Sequence, residues 1–485
     1  MISIIIFPKS HTPFSLVVAM ETKPSTLDPR WIGGDVNAQY LEELLFLPLV
    51  SFDPQGEHMN VIAESIDSQD GKVWRIKLKK GVFFGNGQEI TSLDVVATYQ
   101  YFLGPLAPRR SSFKDVILIK EINAYELEIH LKAPYVAFPT NLTIGILPKD
   151  IFTQKEISLS GLESGPYKSE SQEDDKWFFV PNPRYKKAVN PWISVPKIPL
   201  TIKFIPDPMA RLSVLMNGDA DLLQRSLDMD RIYFLQNQSQ YHLNIDFAPS
   251  LETTYLAFKM DNPQVSSLEV RRKLKNSLNI PEILKALFHG YATEAKGMFP
   301  SVFPYFYSSH EDLNTSGSPG ELDDMTLTLS TARESQIVAK VLQAQWKEAG
   351  VNIKLTVLEP SLFQKVIQNG GAMMWLGSWI GYKDPDHLRF VFHSESIPPF
   401  GGNRGRFRNA KVDKALKLGM VSLNHQLRKS YYNEAQEELN RNIPYIYLWH
   451  RDNFVIMSQQ IKNFQIFRDG RYLGVTQVEK NEIRS

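Results

Sequence analysis

The chain has 485 residues, which is too long for one ordinary hydrophobic core and suggests roughly two to four lobes. Its 54 Lys and Arg balance 53 Asp and Glu, and the resulting net charge of +1 argues against a nucleic-acid binder, which usually has a basic excess. Cysteine is absent, so disulfides, thiolate nucleophiles, cysteine zinc sites and iron–sulfur clusters are excluded.

The N-terminal sequence MISIIIFPKSHTPF is a poor candidate for a signal peptide. Its apolar patch, Ile4 to Phe7, is interrupted by Pro8 and Lys9, and no basic segment precedes it. Elsewhere no apolar run reaches the roughly 18 residues that a membrane-spanning helix needs. Two interpretations stay open: the protein remains inside the cell, or its export signal is missing from this version of the chain.

The first third of the chain has the pattern of a strand-rich lobe that extends to about residue 160. LVVAM, from Leu16, predicts a short strand. In WRIKL, apolar Trp74, Ile76 and Leu78 alternate with basic residues, which predicts a half-buried strand. Thr91 and Asp94 form a capping-box pattern at the start of the helix TSLDVVATYQYF. ELEIHL alternates again and predicts another strand.

From about residue 255 the pattern changes to alternating helices and strands. SSLEVRRKLKNSL, PEILKALFHG and HQLRKSYYNEAQEELNRN predict helices, and YIYLWH predicts a late buried strand. MTLTLS, the amphipathic segment RESQIVAKVLQAQWKEAG and VNIKLTVLE together predict a βαβ unit. Between the two regions lie separated strands and one helix, MARLSVLMNGD. We predict a loop at His310–Asp324.

No catalytic or metal-binding motif stands out. The sequence lacks a Walker loop, a GxGxxG fingerprint, a GxSxG elbow and HExxH. GSWIGYKDPDH, Gly377 to His387, follows the apolar run AMMWL, and a buried strand that ends in such a polar, aromatic turn often forms the wall of a pocket. Asp384 and Asp386 there fit an Asp-Pro turn before a helix better than a cation loop. We therefore predict no catalytic residues, no metal and no cofactor.

Several segments, in order, resemble the large peptide-binding class of ABC-transporter solute-binding proteins. They extend over nearly the whole chain from about Leu16: LDP at Leu27 to Pro29, WRIKLKKGVFFGNGQEITSLDVVATYQYF, GPYK, NPRY, IPDPMARLSVLMNGDADLL, EVRRKLKNSLNIPEILKALFHGYATEAKGMFP, WIGYKDPD and NIPYIYLW. Each motif is modest alone, and their order makes the resemblance specific.

The resemblance implies an α/β fold of the type II periplasmic-binding-protein kind, with two lobes and an additional strand-rich lobe. Lobe I would comprise residues 16–37, 161–250 and 455–485, lobe II residues 38–160, and lobe III residues 251–454. Residues 1–15 would be an N-terminal segment and a candidate signal remnant. Members of the class bind peptides, and some bind murein peptides, nickel chelates, haem or sugars.

The resemblance also implies which segments contact the ligand. An extended peptide would pair with the backbone of Gly33-Gly34-Asp35 and of Trp379-Ile380-Gly381. The class usually has an Asp just after the second segment, where it binds the α-amino group of the peptide. Here Tyr382 and then Lys383 occupy that place.

Three explanations for the missing carboxylate stay open. Asp35 or Glu21 supplies the charge from the opposite side, or Asp384 reaches inward. Alternatively the ligand lacks a free α-amine, in which case Lys383 and Arg404 would pair with its carboxylates. Trp449 is a further candidate for the wall of the cleft, since aromatic side chains give broad apolar surfaces.

The function implied is the substrate-binding component of an ABC importer, monomeric and periplasmic, which captures oligopeptides between its lobes and delivers them to a permease in the inner membrane. No nucleic-acid partner and no enzymatic activity are expected. The alternatives are the same scaffold with a murein-derived peptide or a nickel or other metal chelate as ligand, or an exported adhesin or interaction protein. A hydrolase hidden in the cleft is the least favoured interpretation.

Overall fold

The structure is a computed structural model that describes residues 14–153, 160–186, 189–225, 227–236, 238–308 and 322–481. Most of the predicted N-terminal segment 1–15, and residues 310–321 of the predicted loop, lie outside the described residues. Within them, none of the helices combines the length and the apolar character that spanning a bilayer requires.

The secondary structure alternates as the second half of the sequence predicts. The strands are β1 (Leu16–Met20), β2 (Val50–Phe52), β3 (His58–Asn60), β4 (Ala63–Asp67), β5 (Val73–Leu78), β6 (Val116–Asn123), β7 (Glu126–Leu131), β8 (Tyr167–Gln172), β9 (Lys176–Pro181), β10 (Leu200–Phe204), β11 (Leu222–Gln224), β12 (Leu243–Pro249), β13 (Glu252–Phe258), β14 (Ala292–Glu294), β15 (Leu322–Ser330), β16 (Val351–Leu358), β17 (Met374–Ile380), β18 (Tyr445–Ser458), β19 (Ile461–Lys462) and β20 (Glu479–Lys480). The helices are α1 (Val36–Leu45), α2 (Ser92–Tyr101), α3 (Pro208–Met216), α4 (Met229–Gln236), α5 (Leu268–Asn276), α6 (Ile280–Phe288), α7 (Arg333–Glu348), α8 (Pro360–Gln368), α9 (His387–Phe392), α10 (Ala410–Val421) and α11 (His425–Asn442).

The strand-rich region contains an antiparallel sheet of order β4-β5-β7-β6 and the hairpin β2-β3. In β5 the side chains of Trp74, Ile76 and Leu78 are buried, while the basic residues between them are exposed, so the predicted alternation is confirmed. Thr91 and Asp94 form the predicted capping box at the start of α2. The two backbone donors that this box satisfies fix where the helix begins.

The large sheet runs β16-β15-β17-β13-β18-β11-β1-β10-β9-β8, with β12 and β14 also paired to β18. β15, α7 and β16 form the predicted βαβ unit, because β15 and β16 pair in parallel along most of their length. In α7, Val338, Leu342 and Trp346 are buried against the sheet. The expectation of a mixed α/β fold is confirmed.

The strand β18 joins the two sections of this sheet and is much longer than the YIYLWH segment predicted. Its first residues, Tyr445–Trp449, pair with β13, and its last residues, Asp452–Ser458, pair with β12. One continuous strand thus links the section around β1 to the section around β17. The lobe boundaries given above stay a prediction.

Candidate functional site

Two adjoining cavities lie between the strand-rich region, the first section of the sheet and the turn after β17. They measure about 630 Å³ and about 350 Å³. We call them together the cleft. They share six lining residues, which we call the neck: Gln39, Arg109, Thr143, Ile380, Gly381 and Lys383. Three of these six belong to the segment WIGYK, which we call the wall turn (residues 379–383).

The wall turn begins at the exposed end of β17. β17 pairs with β13 along its whole length, but with β15 only at Met374 and Trp375. Among the described residues, the outer edge of β17 therefore has no strand neighbour from Leu376 to Ile380. The amide of Gly381 donates to the carbonyl of Leu251 at 2.8 Å. Because backbone groups alternate in an antiparallel pair, those of Ile380 point away from β13.

Gly381 has φ +66°, the left-handed conformation that glycine adopts without strain. This conformation turns the chain out of β17 and presents Gly381 and Lys383 to both cavities. Ile380, next to it, is 49% exposed. The wall turn therefore exposes backbone groups and the apolar side chain of Ile380 in the cleft, and their contact with a ligand stays a prediction.

Tyr382 occupies the place where the resemblance expects a carboxylate, and its side chain is buried. Its hydroxyl lies 3.2 Å from Oγ1 of Thr253, and its ring packs edge-on against Phe299 and Phe303. Burial raises the pKa of Tyr382 further above its ordinary value. The hydroxyl is thus neutral and already has a partner within the protein, although the residue borders the larger cavity.

Lys383 is half-buried and has an apolar neighbour in place of an acidic partner. Its Nζ lies 4.9 Å from the centroid of the Phe52 ring. No carboxylate of the described residues lies within ion-pair distance of this ammonium. Burial, with a smaller contribution from the nearby Arg471 guanidinium, lowers the pKa of Lys383 to about 8. The cleft therefore contains a cation that has no direct counter-ion in the part of the chain that the structure describes.

The two aspartates that follow the wall turn, Asp384 and Asp386, have arginine partners. Asp384 accepts a hydrogen bond from Arg428 at 2.6 Å, and Asp386 accepts one from Arg389 at 2.7 Å. Burial raises the pKa of Asp384, and the Arg428 guanidinium opposes this rise. The amide of Asp386 also donates to Asp384 at 2.8 Å, which is the Asp-Pro turn favoured by the sequence.

The segment predicted to pair with the ligand from the opposite side starts a helix instead. Asp35 is the N-cap of α1, and its carboxylate accepts from the amide of Ala38 at 3.1 Å. Gly33 accepts from Gln39 Nε2 at 2.7 Å, and neither Gly33, Gly34 nor Asp35 is among the described residues that line the cleft. One oxygen of this carboxylate, Oδ1, thus caps the helix.

Glu21 is the one of the three predicted acids whose carboxylate is both exposed and in the cleft. It lines the smaller cavity with a side chain that is 63% exposed, and lies 3.6 Å from Arg211. The first turn of α1 also lines this cavity, through Val36 and Asn37. On this side, the described residues that line the cleft thus lie at the end of β1 and on the flank of α1, and a ligand contact at Gly33-Gly34-Asp35 stays a prediction.

Arg404 and Trp449 lie beside a third cavity of about 320 Å³, and not among the described residues of the cleft. The Arg404 guanidinium stacks 5.2 Å from the centroid of Trp379. Trp449 is 1% exposed, and its ring packs against Phe288, 5.0 Å away. Trp449 is therefore a core residue, and its hydrophobic surface is already covered by the protein.

The charged residues that surround Lys383 at the neck were not anticipated from the sequence. Arg109 donates to Glu42 at 2.9 Å, and Arg471 donates to Glu43 at 2.6 Å and to Asp469. Glu42 and Glu43 are far from their arginines in the chain, so no local motif indicates these two pairs, whereas Asp469 is only two residues from Arg471. They place buried, mutually neutralised ion pairs beside the unpaired Lys383.

Comparison with known proteins agrees with this architecture. The model of the family described as bacterial extracellular solute-binding proteins, family 5, matches residues 58–396, well over half of the chain. The glutathione-binding protein GsiB of Pectobacterium atrosepticum is 24% identical over 484 aligned positions, covering 93% of this chain and 92% of that protein.

Solved structures give the same fold at low sequence identity. NikZ from Campylobacter jejuni, in complex with Ni(L-His), has a TM-score of 0.77 at 23% identity and covers 96% of this chain and 99% of its own. The oligopeptide-binding protein AppA from Bacillus subtilis, in complex with a nonapeptide, has a TM-score of 0.76 at 20% identity. The match covers 97% of this chain and 100% of the AppA chain. The predicted type II fold and the resemblance are thereby confirmed. The chain belongs to the bacterial extracellular solute-binding proteins, family 5.

Proposed function

We propose that the protein is the substrate-binding component of an ABC importer and that it binds short peptides in the cleft. One observation carries the proposal: Ile380, the last residue of the unpaired edge of β17, and the wall turn that follows it line a cavity large enough for several residues. Such an edge can pair with the backbone of an extended ligand whatever its side chains are. Membership of a solute-binding family supports the same assignment.

The proposed ligand lies along the wall turn and across the neck. Ile380 would exchange backbone hydrogen bonds with the peptide, while Gly381 permits a close approach because it has no side chain. Gln39 and Thr143 face it from the opposite side. The combined volume of roughly 980 Å³, the sum of 630 and 350 Å³, lies at the upper end of the range for small-molecule sites.

We further propose that the protein acts outside the inner membrane as a monomer and delivers its ligand to a membrane permease without converting it. Detection of the mature protein in a periplasmic fraction tests the location. Light scattering tests the oligomeric state. Recovery of a bound peptide with unchanged mass after prolonged incubation tests the absence of turnover.

A second candidate is a ligand without a free α-amine, such as a murein-derived peptide or a nickel chelate. The observation that favours it is the absence of an available carboxylate at the wall turn. Tyr382 is buried there, Asp384 is bound to Arg428 and Asp35 caps α1. A ligand whose amine is blocked or chelated needs no such carboxylate.

The decisive experiment compares ligand classes by calorimetry and by the shift in melting temperature, since a ligand that binds only the folded state stabilises it. The panel contains di- to pentapeptides, glutathione, a murein tripeptide and a nickel–histidine chelate, with N-acetylated peptides as controls. Saturable binding of peptides supports the first proposal. Binding of the chelate alone favours the second, and failure of the whole panel would leave an adhesin or interaction protein as the function.

A further inference from the structure

The cations that line the cleft differ in one respect, which is whether a carboxylate neutralises them. The other buried or half-buried ones have a partner: Arg109 with Glu42 at 2.9 Å, Arg225 with Glu252 at 2.8 Å, Arg389 with Asp386 at 2.7 Å and Arg471 with Glu43 at 2.6 Å. Lys383 has no such partner among the described residues. A half-buried ammonium without a counter-ion is costly, because removal from water disfavours the charged form.

The position of Lys383 makes this cation available to a ligand. It lies at the neck, where the two cavities meet, so a ligand that extends through the cleft must pass it. Its ammonium lies over the buried Phe52 ring, with Nζ 4.9 Å from the ring centroid. Four charged groups act on it from neighbouring elements: Glu43 and Asp469 attract the ammonium, and Arg471 and Arg109 repel it. Each of the four is engaged in an ion pair of its own.

Arg109 is the other neck residue that carries a positive charge. Its Nη2 binds Glu42, but its Nε is buried and has no hydrogen-bond partner among the described residues. Lys383 and Arg109 border both cavities. Because the Nε of Arg109 is buried, the donor that the neck presents to a ligand is the ammonium of Lys383, and the chemical group that complements it is a carboxylate.

We propose that Lys383 binds a carboxylate of the ligand at the neck, so that the protein selects peptides by an acidic group where its class normally selects an amine. The inference rests on the proposed function and adds the ligand class to it. The carboxylate is either the C-terminal one or that of an acidic side chain, and both would be recognised by the same charge-assisted hydrogen bond.

A bound carboxylate would also change the charge state of the lysine. An anion close to the ammonium favours its protonated form and raises its pKa. Because the pKa of Lys383 in the unliganded protein is about 8, binding above pH 8 takes up a proton. Affinity for the acidic ligand should then fall as the pH rises above 8, because protonation of the lysine is coupled to binding.

The test compares peptides that differ only in this group, measured by calorimetry on the full chain. Each tripeptide is used with a free and an amidated C-terminus, and with Glu or Gln as one side chain. The variants are Lys383→Met and, as a matched control, Lys347→Met, which removes an exposed lysine of α7 outside the lining of the cleft. Melting temperatures of all variants confirm that they are folded.

We expect one acid-to-neutral change in the peptide to weaken binding to the wild type roughly 10- to 100-fold, the range for a hydrogen bond to a charged group. Lys383→Met should cause the same loss for the acidic peptide and little loss for its neutral counterpart. Lys347→Met should change neither. The pair that responds, amide or Gln, identifies which carboxylate is bound.

Different failures separate this inference from the proposed function. If peptides bind but neither neutralisation nor Lys383→Met alters their affinity, the carboxylate assignment is overturned and the peptide-binding function stands. If no peptide binds the wild type, both are overturned. The comparison of peptides on the wild type between pH 7 and 9.5 needs no variant, so a poorly folded Lys383→Met protein would not prevent the test.

Discussion

Arg428 of α11 donates from Nη2 to Oδ1 of Asp384 at 2.6 Å, and the two residues are 44 positions apart. Arg428 is also held by Tyr305, whose hydroxyl accepts at 3.1 Å, and by the carbonyl of Gly419 at 3.2 Å. The helix therefore fixes the chain directly after the wall turn. A ligand at the neck would therefore contact a segment that α11 holds in place through Arg428, and not a free loop.

Loss of this ion pair should destabilise the protein strongly. Arg428→Met would leave the carboxylate of Asp384 in a largely buried place without its cation, which typically costs about 3 kcal/mol or more. The free energy of unfolding in urea measures the effect. Lys296→Met is the matched control, because its ion pair with Glu294 is exposed and worth less than about 1 kcal/mol. Equal losses in the two variants would contradict the structural role of Arg428.

Gly381 should be sensitive to any side chain, whereas Gly34 should not. Gly381→Ala places a Cβ on a backbone with φ +66°, which costs roughly 1 kcal/mol, and adds a methyl group inside the cleft. Stability and peptide affinity should both fall. Gly34→Ala meets no atom within 4 Å, so both quantities should stay unchanged.

This pair of variants also decides between two locations for the ligand. A loss of affinity in Gly34→Ala without loss of stability would mean that the ligand contacts Gly33-Gly34-Asp35, as the resemblance implied. It would contradict the placement at the end of β1 and on the flank of α1.

Placing an Asp at position 382, where the class usually has one, should not create a binding site for the α-amine of a peptide. Tyr382 is 3% exposed between Thr253 and aromatic rings, so Tyr382→Asp would bury an unpaired charge and open a cavity, with an expected loss of about 3 kcal/mol or more. Tyr382→Phe loses only the hydrogen bond to Thr253, about 1 kcal/mol. A stable Tyr382→Asp protein with raised affinity for free-amine over N-acetylated peptides would show that the side chain reaches the cleft.

The pH dependence of stability should reveal the unpaired lysine. The pKa of Lys383 is about 8 in the folded protein and 10.5 as its ordinary value. Between these values the unfolded chain binds more protons than the folded one, so the free energy of unfolding gains a contribution that rises with pH. The free energy of unfolding at pH 9.5 minus that at pH 7, measured by urea denaturation, should be more positive for the wild type than for Lys383→Met. Identical differences would mean that Lys383 is solvated.

Local patterns in the sequence predicted much of the fold because local interactions determine those elements. The capping box of Thr91 and Asp94 fixes the start of α2, and the apolar stripe of α7 fixes the face that packs on the sheet. The full length of β18 was missed because its second half pairs with β12, about 200 residues earlier, and no local signal reveals that partner.

The site was less predictable for the same reason. The wall turn was recognisable as a strand that ends in a polar turn, but the partners that decide its chemistry are distant. Arg471 neutralises Glu43 across 428 positions, and Arg109 neutralises Glu42 across 67. Asp35 is the exception, since an Asp three residues before the amide it caps is a local helix signal. We did not predict this cap, because the resemblance implied a ligand contact for Asp35.

The most direct test of the account is mass spectrometry of the small molecules that stay bound through native purification and are released by denaturation. We predict short peptides or a peptide derivative, each with a free carboxylate, and their absence from protein that carries Gly381→Ala. Release of a sugar or another compound without a peptide backbone would contradict binding along the wall turn.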